Sequence, residues 1–475
     1  MSLEKIKTVT LADVSINNKG EYGIGASAVD YSDELYTYLR ITDINDDGTL
    51  NKNDLKSVDD VDAKNYLLNE NDVVFARTGN STGKAYYYDK MDGELVYAGF
   101  LIKFSLDPSK INPKFMKYYV LSKDYKGWVN SMCTGSTRPN INAKMYGNME
   151  LILPPREQQD FLVNILGEID NKIEINKRIN KNLDDILDSI FKENFIKEFD
   201  NDNNDWKIKN IGELPLIITD YVANGSFASL KENVTILDYE EYAYFIRNTD
   251  LKSKSFQKFV NKHSYDFLKK SSLFGNEVII SNVGDVGSVF LCPFLDKPMT
   301  LGNNMILVKS RDDAINLNFY LFLLFRSNYG QYLISTITAG SVQSKFNKTE
   351  FKSLELTMPN DELIIKFNNL VSPIFDYKNK ISDEIVRLTK LRDTLLPKLM
   401  SGEIDVSKIN CDLKIIIRKI YIKSSKLFLW RYLSENKNYI KNTKSNETLL
   451  KSRTIYKINK FLAKFTTRYR YYRQQ

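Results

Sequence analysis

The chain alternates between two kinds of hydrophobic pattern. Short runs rich in Val, Ile, Phe and Tyr, bounded by Gly, Asn and Asp, predict strands of an irregular mixed sheet in two separate regions. Within these regions, residues 114–129 and 318–334 carry many aromatic and aliphatic side chains and predict helices packed on each sheet. Each region ends in a strand-like run closed by proline, at Pro154 in the first and at Pro359 in the second.

After each proline, apolar residues recur at alternating spacings of three and four, which is typical of a coiled-coil seam. The first seam, within a helix predicted over 156–195, comprises Leu166, Ile169, Ile173, Asn176, Asn180, Leu183, Leu187 and Ile190. The second comprises Val371, Ile374, Lys378, Ile381, Ile385, Leu388, Arg392, Leu395 and Leu399, with Pro397 predicted to mark its frayed end. Because buried asparagines in such a seam cost stability and fix the register, we expect Asn176 and Asn180 to do so.

The two regions are diverged copies of one unit. At an offset of 205 residues, 72–80 aligns with 277–285, 100–103 with 305–308, and 149–154 with 354–359. Gly135-Ser136 falls on Gly340-Ser341, and a shift of two further residues aligns 40–43 with 247–250. These matches occur in the same order in both copies, which indicates an internal repeat.

The order of the long helices along the chain predicts their arrangement. A helix over 156–195 would be about 60 Å long, and the second helix must run back if it is to bury its seam against the first. The pattern therefore predicts an α+β protein in which two tandem α/β domains are separated by two long helices. These helices would form an antiparallel coiled coil with pseudo-two-fold symmetry. Such a spacer exceeds the ~34 Å of one DNA turn and suits two domains that read separate, different DNA half-sites.

Composition places the chain among ordinary globular proteins. At 475 residues it is long enough for about two domains, and 43% of it is hydrophobic and 27% charged. No run of ~18 apolar residues predicts a membrane span, and residues 1–7 lack the apolar core of a signal peptide. The widely separated Cys133, Cys292 and Cys411 indicate neither a disulfide framework nor a zinc site. We expect a cytoplasmic protein that does not bind a membrane.

The net charge of +7 is unevenly distributed. Residues 411–475 hold 17 Lys and Arg against 3 Asp and Glu, whereas the other 410 residues hold 50 basic and 57 acidic side chains. The body of the protein is therefore not generally basic, and any nucleic-acid surface on it must be a local patch.

Two loops shared by the copies carry polar residues that could contact DNA, since Arg reads guanine edges and Lys meets phosphate. The first loop offers Arg77, Thr78, Asn80, Ser81 and Lys84, and its counterpart in the second copy offers Asn282 and Asp285. The second loop offers Ser136, Thr137, Arg138, Asn140 and Lys144, matched by Ser341, Gln343, Ser344, Lys345 and Lys348. A constant Gly-Ser frame with variable side chains suits one scaffold that reads different bases. The alternative is that these are a glycine turn after a strand and a solvated loop that caps a helix.

Several enzymatic interpretations fail. The segment 79–84 resembles a Walker loop but has three residues between its glycines where four are required, and Ala85 replaces the Ser or Thr that would hold Mg²⁺. His263 is the only histidine, which excludes a histidine-based metal site and a Ser-His-Asp triad. Asp170-x-Lys172 and Asp205-x-Lys207 have no upstream Pro-Asp partner for nuclease chemistry, and no adenine-methyltransferase motif is present. We expect a chain without catalytic residues, metal or cofactor of its own.

The repeat, the helices and three local motifs together resemble the DNA-specificity (S) subunit of type I restriction–modification systems. The motifs are Gly135-Ser136-Thr137, the run 154–159 (PPREQQ) and the run 392–404 (RDTLLPKLMSGEI), and the resemblance covers residues 1–408. It implies two target-recognition domains on double-stranded DNA. It also implies spacer helices that dock two methyltransferase subunits, to which endonuclease/translocase subunits attach. S-adenosylmethionine, ATP and Mg²⁺ would belong to those partners.

The resemblance predicts a division of the chain into five parts. These are target-recognition domains at 1–155 and 200–360, spacer helices at 156–199 and 361–408, and a basic tail at 409–475. The tail has no counterpart in the repeat and is either a phosphate-binding arm or sequence beyond the family's usual end, which the abrupt change in composition favours. Two other functions remain open: a coiled-coil adaptor that binds protein, and a specificity module of another methyltransferase type.

Overall fold

The computed structural model describes residues 6–134, 139–196, 206–311, 315–340, 344–401 and 403. Among these residues, no helix is both long and apolar enough to cross a membrane. The chain divides into two compact units. Among the described residues, the first unit holds those up to Ile175 and those from Ile385 to the end of the second long helix, and the second holds those from Asn176 to Glu384. The basic tail at 409–475 lies outside the described residues.

The first copy of the repeat consists of short strands followed by helices. Its strands are β1 (Lys7–Thr10), β2 (Glu21–Tyr22), β3 (Ala28–Asp30), β4 (Tyr36–Leu39), β5 (Lys56–Val58), β6 (Asp72–Ala76), β7 (Ala85–Tyr87), β8 (Leu95–Tyr97), β9 (Leu101–Ser105) and β10 (Glu150–Leu153). Its helices are α1 (Pro113–Tyr119), α2 (Lys123–Cys133), α3 (Ala143–Gly147) and the long α4 (Arg156–Asn194).

The second copy repeats this order with one extra strand and additional short helices among the described residues. Its strands are β11 (Lys207–Asn210), β12 (Leu216–Asp220), β13 (Ile236–Leu237), β14 (Ala243–Ile246), β15 (Phe259–Val260), β16 (Ser272–Leu273), β17 (Val278–Ser281), β18 (Val289–Leu291), β19 (Met299–Leu301), β20 (Met305–Ser310) and β21 (Glu355–Met358). Its helices are α5 (Phe227–Asn233), α6 (Asn248–Ser253), α7 (Lys262–Phe267), α8 (Asn318–Arg326), α9 (Asn328–Ile337), α10 (Lys348–Lys352) and the long α11 (Asp361–Met400).

The sheets of the two copies have matching topology. One sheet has the order β2-β9-β6-β7 in the first copy and β12-β20-β17-β18 in the second, and both are antiparallel. A second sheet has the order β3-β5-β4-β8, matched by β13-β15-β14-β19-β16, and each contains one parallel pair. An antiparallel pair, β1 with β10 or β11 with β21, closes each copy. The sequence pattern predicted one mixed sheet in each copy. The structure instead has two small sheets and one antiparallel pair of strands in each copy.

The helix predicted over 114–129 is broken at Ser122, and the one predicted over 318–334 is broken at Ser327, which lies 205 residues later. The hydroxyl of Ser122 accepts a hydrogen bond from the Tyr125 amide, and that of Ser327 accepts one from the Gly330 amide, both at 3.2 Å. A serine side chain that caps a helix N-terminus satisfies an otherwise unpaired amide and favours a new helix start. Both predictions of one continuous helix were therefore wrong for the same local reason.

The helices α4 and α11 pack against each other in both units, as the hydrophobic period predicts. In the first unit, the buried Ile165, Ile169 and Ile173 of α4 contact Ile385, Leu388 and Leu395 of α11. In the second, Phe191 lies 6.1 Å from Phe367 between ring centroids. The start of α4 thus meets the end of α11 and the reverse, so the pair is antiparallel. Most of the predicted seam is buried: Leu166, Ile169, Ile173, Asn176, Asn180, Leu183, Leu187, Ile190, Val371, Ile374, Ile381 and Leu399.

Pro397 does not end the second helix, contrary to the prediction. The helix continues to Met400, and the Ser401 amide donates to the Pro397 carbonyl at 2.9 Å. A proline removes one backbone hydrogen bond but leaves the later ones available. Leu396 and Leu399, on either side of Pro397, are buried in the core of the first unit, which holds this last turn in place.

Candidate nucleic-acid interface

The first predicted DNA loop lies where β6 turns back into β7. Gly79 and Gly83 both have backbone angles in the left-handed region, with φ of +74° and +87°. A Cβ on Gly83 would overlap the Val129 side chain, and the Gly83 carbonyl accepts a hydrogen bond from the Tyr125 hydroxyl at 2.7 Å. The glycines that resemble a Walker loop are therefore needed for a tight turn anchored to α2.

The second predicted loop packs against the first. The Ile141 amide donates to the Arg77 carbonyl at 2.9 Å, and Thr78 forms an isolated bridge with Asn140. The Thr82 hydroxyl lies 3.3 Å from the carbonyl oxygen of Pro139. The two loops, about 60 residues apart in sequence, thus form one continuous surface at the end of the sheet.

The second unit builds the same surface with different residues. The Phe346 amide donates to the Asn282 carbonyl at 3.1 Å, and Val283 bridges Lys345. The Gly284 amide donates to the Ser344 carbonyl at 3.1 Å. The bridge residues are displaced by 205 residues from their counterparts in the first unit, so the repeat preserves the frame on which the side chains differ.

The loop of the second unit is one residue shorter, which corrects one of the sequence matches. Strand β6 pairs Ala76 with Leu101, and β17 pairs Ser281 with Met305. Since Ser281 is the counterpart of Ala76, Met305 is the counterpart of Leu101 and not of Phe100. The offset is therefore 204 along β9 and β20, because the turn between the two glycines spans 79–83 in one unit and 284–287 in the other.

Three of the predicted contact residues are held in ion pairs within their own unit. Lys84 Nζ lies 2.8 Å from Asp46 Oδ1, and Lys348 Nζ lies 3.1 Å from Asp220 Oδ1. The carboxylate of Asp285 lies 2.6 Å from the ammonium of Lys252.

The carboxyl of Asp285 is held in its charged form. Burial raises the pKa of this group, but hydrogen bonds from Lys252, Ser288 and Asn248 outweigh that effect, so the pKa is lowered overall. These contacts tie the Gly284 loop to the start of α6.

The other predicted contact residues divide by exposure. Arg77, Thr78, Ser81 and Asn282 are half-buried, and the exposed ones are Asn80, Asn140, Lys144, Ser344 and Lys345. Ser136, Thr137, Arg138, Ser341 and Gln343 lie outside the described residues. No group of His, Cys, Asp and Glu in the described part of the chain is placed to hold a metal ion.

Two aromatic residues that the sequence did not single out stand beside Arg77. The Arg77 amide donates to the Phe100 carbonyl at 3.0 Å, one residue beyond the last β6–β9 pair, Ala76 with Leu101. The guanidinium carbon of Arg77 lies 4.9 Å from the centroid of the Tyr22 ring, a cation–π geometry. Finding these neighbours requires the strand register, which the sequence pattern did not provide.

The same three places in the second unit hold Asp220, Asn282 and Asn304. Tyr22 lies opposite Ile102 on β9, and Asp220 lies opposite Ile306 on β20. The Asn282 amide donates to the Asn304 carbonyl at 3.1 Å, as the Arg77 amide does to Phe100. An aromatic and cationic cluster in the first unit is thus replaced by an acid and two amides in the second.

Comparison with known proteins gives the same division into two copies. A family model described as the type I restriction modification DNA specificity domain matches the chain twice, over residues 4–185 and 203–386. The chain belongs to this family. Each match contains one copy of the sheets, the paired loops and most of one long helix, so the family unit coincides with the repeat.

Curated relatives support this membership. The chain is 23% identical over 320 residues to the type I restriction enzyme MjaIX specificity subunit of Methanocaldococcus jannaschii, covering 62% of this chain and 70% of the relative. It is also 23% identical over 411 residues to the putative MjaX specificity subunit of the same organism, covering 80% and 90%. The crystal structure of a type I restriction–modification S subunit from M. genitalium superposes with a TM-score of 0.50 at 16% identity. That match covers 84% of this chain and 96% of that one and supports the fold.

Proposed function

We propose that this chain is the DNA-specificity subunit of a type I restriction–modification complex and that each unit reads one half of a bipartite, asymmetric site. The observation that carries this proposal is the pair of equivalent surfaces. The Arg77 and Asn282 carbonyls accept the same backbone hydrogen bond, while their side chains differ. The Asn282 amide group donates to the Phe346 carbonyl at 2.9 Å and is not free for a base, whereas the half-buried Arg77 suits guanine. At the exposed bridge position, Asn140 of the first surface corresponds to Lys345 of the second, so the two surfaces suit different bases.

The long helices are proposed to set the distance between the half-sites and to scaffold the other subunits. With 39 residues, α4 would span about 58 Å, which is longer than one turn of DNA. Two methyltransferase subunits would dock on the helices, and endonuclease/translocase subunits would attach to them. S-adenosylmethionine, ATP and Mg²⁺ would be bound by these partners, and this chain would contribute no catalytic group.

Exchange of the first globular domain tests the proposal. Residues 1–155 are replaced by the corresponding domain of a relative with a different methylated motif, and the hybrid is expressed with its methyltransferase subunits in a host lacking other methylation. Sequencing of the methylated genome should show one half of the motif changed and the other half retained. A motif in which both halves change, or neither does, would refute the assignment of one half-site to each unit.

A further inference from the structure

The aromatic ring of Phe100 is exposed at the candidate interface, and hydrogen bonds hold the backbone that carries it. The side chain is 60% exposed. Its turn is closed by a hydrogen bond from the Leu101 amide to the Ala98 carbonyl at 2.8 Å, and its own carbonyl is bound by the Arg77 amide. A Cβ on Gly99 would lie 3.2 Å from the Ile24 carbonyl oxygen, so the turn packs closely against the backbone of Gly23 and Ile24.

Single exposed apolar residues are common on protein surfaces and need no function. Phe100 differs from an isolated example because the strand register places it directly across from Arg77, whose guanidinium in turn lies on the Tyr22 ring. Tyr22 is itself 43% exposed. An exposed ring whose backbone is bonded to that of an arginine offers an apolar group and a hydrogen-bonding group on neighbouring backbone positions, and adjacent base pairs offer the complementary surfaces.

In the second unit the equivalent position keeps one backbone hydrogen bond but differs in its side chain. Asn304 occupies the place of Phe100, is exposed, and accepts the equivalent hydrogen bond from the Asn282 amide. Asn304 has a φ of +63°, in the left-handed region that asparagine tolerates. The two turns therefore share one backbone hydrogen bond and differ in conformation and in side-chain chemistry.

We propose that Phe100 is a specificity-determining residue that contacts the apolar surface of a base in the half-site read by the first unit. That surface is the methyl group of a thymine or the face of an unstacked base, next to the base read by Arg77. The inference rests on the proposed function but assigns a contact that the family membership does not. Asn304 occupies the corresponding position toward the other half-site.

The test compares Phe100→Asn, which installs the residue of the second unit, with Val61→Asn, which changes another exposed apolar residue of the first unit. The full chain is assembled with its methyltransferase subunits, and binding is measured to the methylated motif and to every single-base variant of it. Phe100→Asn should weaken binding to the cognate site about tenfold and relax the preference at one position of one half-site. Val61→Asn should bind as the wild type does, and thermal melting should show both variants to be folded.

Modified bases distinguish the two apolar surfaces. If the ring contacts a thymine methyl group, replacing that thymidine by deoxyuridine, which lacks the methyl group, should weaken binding by the wild type and leave binding by Phe100→Asn unaffected. If the ring contacts an unstacked base, 2-aminopurine at that step should brighten on binding to the wild type and not on binding to the variant.

Other outcomes would overturn the inference. Wild-type affinity and base preference in Phe100→Asn, with specific binding by the unmodified complex, would remove Phe100 from the interface and leave the proposed function intact. An equal loss of affinity for all sequences would assign Phe100 a role without specificity. Absence of sequence-specific binding by the wild-type complex would refute the proposed function itself.

Discussion

Arg392 on α11 lies 3.4 Å from Asp170 on α4, measured from Nη1 to Oδ1. The other oxygen of the same carboxylate lies 2.8 Å from the Lys117 ammonium of α1 and 3.0 Å from the Tyr118 hydroxyl. Asp170 therefore forms contacts both with the other long helix, α11, and with the globular part of the first unit. This carboxylate fixes α1 against the helix pair.

The second unit contains an equivalent arrangement. Asp184 of α4 pairs with Lys378 of α11, and it also lies 3.1 Å from the Arg326 guanidinium of α8. Arg326 reaches Asp188, one turn along α4, at 3.1 Å. Lys378 and Arg392 are the two charged residues of the predicted α11 seam, and in the structure each forms an ion pair with an aspartate of α4.

Asp170→Asn should lower the stability of the first unit. The substitution removes the charge that Lys117 and Arg392 share and leaves both cations partly buried. We expect a loss of about 1.5–3 kcal/mol, the range for hydrogen bonds to charged groups. The measurement is urea unfolding, with the exposed Asp185→Asn on the same helix as control. Equal unfolding midpoints for the two variants would show that the Asp170 contacts contribute nothing.

The two seam asparagines are predicted to respond oppositely to leucine. Asn180 donates to the Ser382 hydroxyl at 3.1 Å, but its buried carbonyl oxygen has no hydrogen-bond partner among the described residues. Asn180→Leu should therefore raise stability by about 1 kcal/mol. Asn176 donates to the Glu384 carboxylate at 2.9 Å, so Asn176→Leu should lower stability. A lower melting temperature for both variants would contradict this account of the seam.

The long helices and the repeat were predictable because their signals are local and periodic. Alternating apolar spacing predicted a helix over 156–195, and the structure has one from Arg156 to Asn194. The breaks at Ser122 and Ser327 were missed although serine is a common capping residue, because the apolar pattern continues through both positions. The aspartates that pair with Lys378 and Arg392 lie about 200 residues away in sequence, so a weak seam was all that the pattern could indicate.

The candidate interface was predictable only in part. The glycine turns and the neighbouring polar loops share an offset of 205, which identified Arg77 and Asn282. Tyr22 and Phe100 lie beside Arg77 through strand pairing between distant segments, and pairing depends on register, which the single-residue difference in loop length shifts. Which side chains surround a loop is therefore a property of the sheet.

The Asp285 contacts predict a pH dependence. Because the pKa of Asp285 in the folded chain lies below its usual 3.8, the charged carboxylate stabilises the folded state above that pH. This stabilisation is lost as the pH falls through the lowered folded-state pKa. Asp285→Asn should melt at a lower temperature than the wild type at neutral pH, and the difference should shrink as the pH drops below 3.8. A difference that stays constant over this range would exclude ionisation of Asp285 as its cause.

Shortening both long helices together should change the spacing of the DNA site. Deleting residues 174–180 and 381–387 removes the Asn176 and Asn180 contacts as a set and leaves Asp170 with Arg392 and Asp184 with Lys378. One heptad shortens a helix by about 10 Å, so the gap between methylated half-sites should shrink by about three base pairs. Deleting only residues 174–180 is the control, because it puts the seam out of register. An unchanged gap in the double deletion would argue against a rigid spacer.

Equivalent surfaces of the two units are proposed to read different halves of one DNA site. Arg77→Ala and Lys345→Ala, which change an exposed or half-buried side chain of each surface, are each assembled with the methyltransferase subunits, and the methylated motif is read by sequencing of the modified genome. We predict that Arg77→Ala relaxes one position in one half of the motif and Lys345→Ala one position in the other half, each by about 1–3 kcal/mol of discrimination. Changes by both variants in the same half, or by either variant in both halves, would contradict the claim.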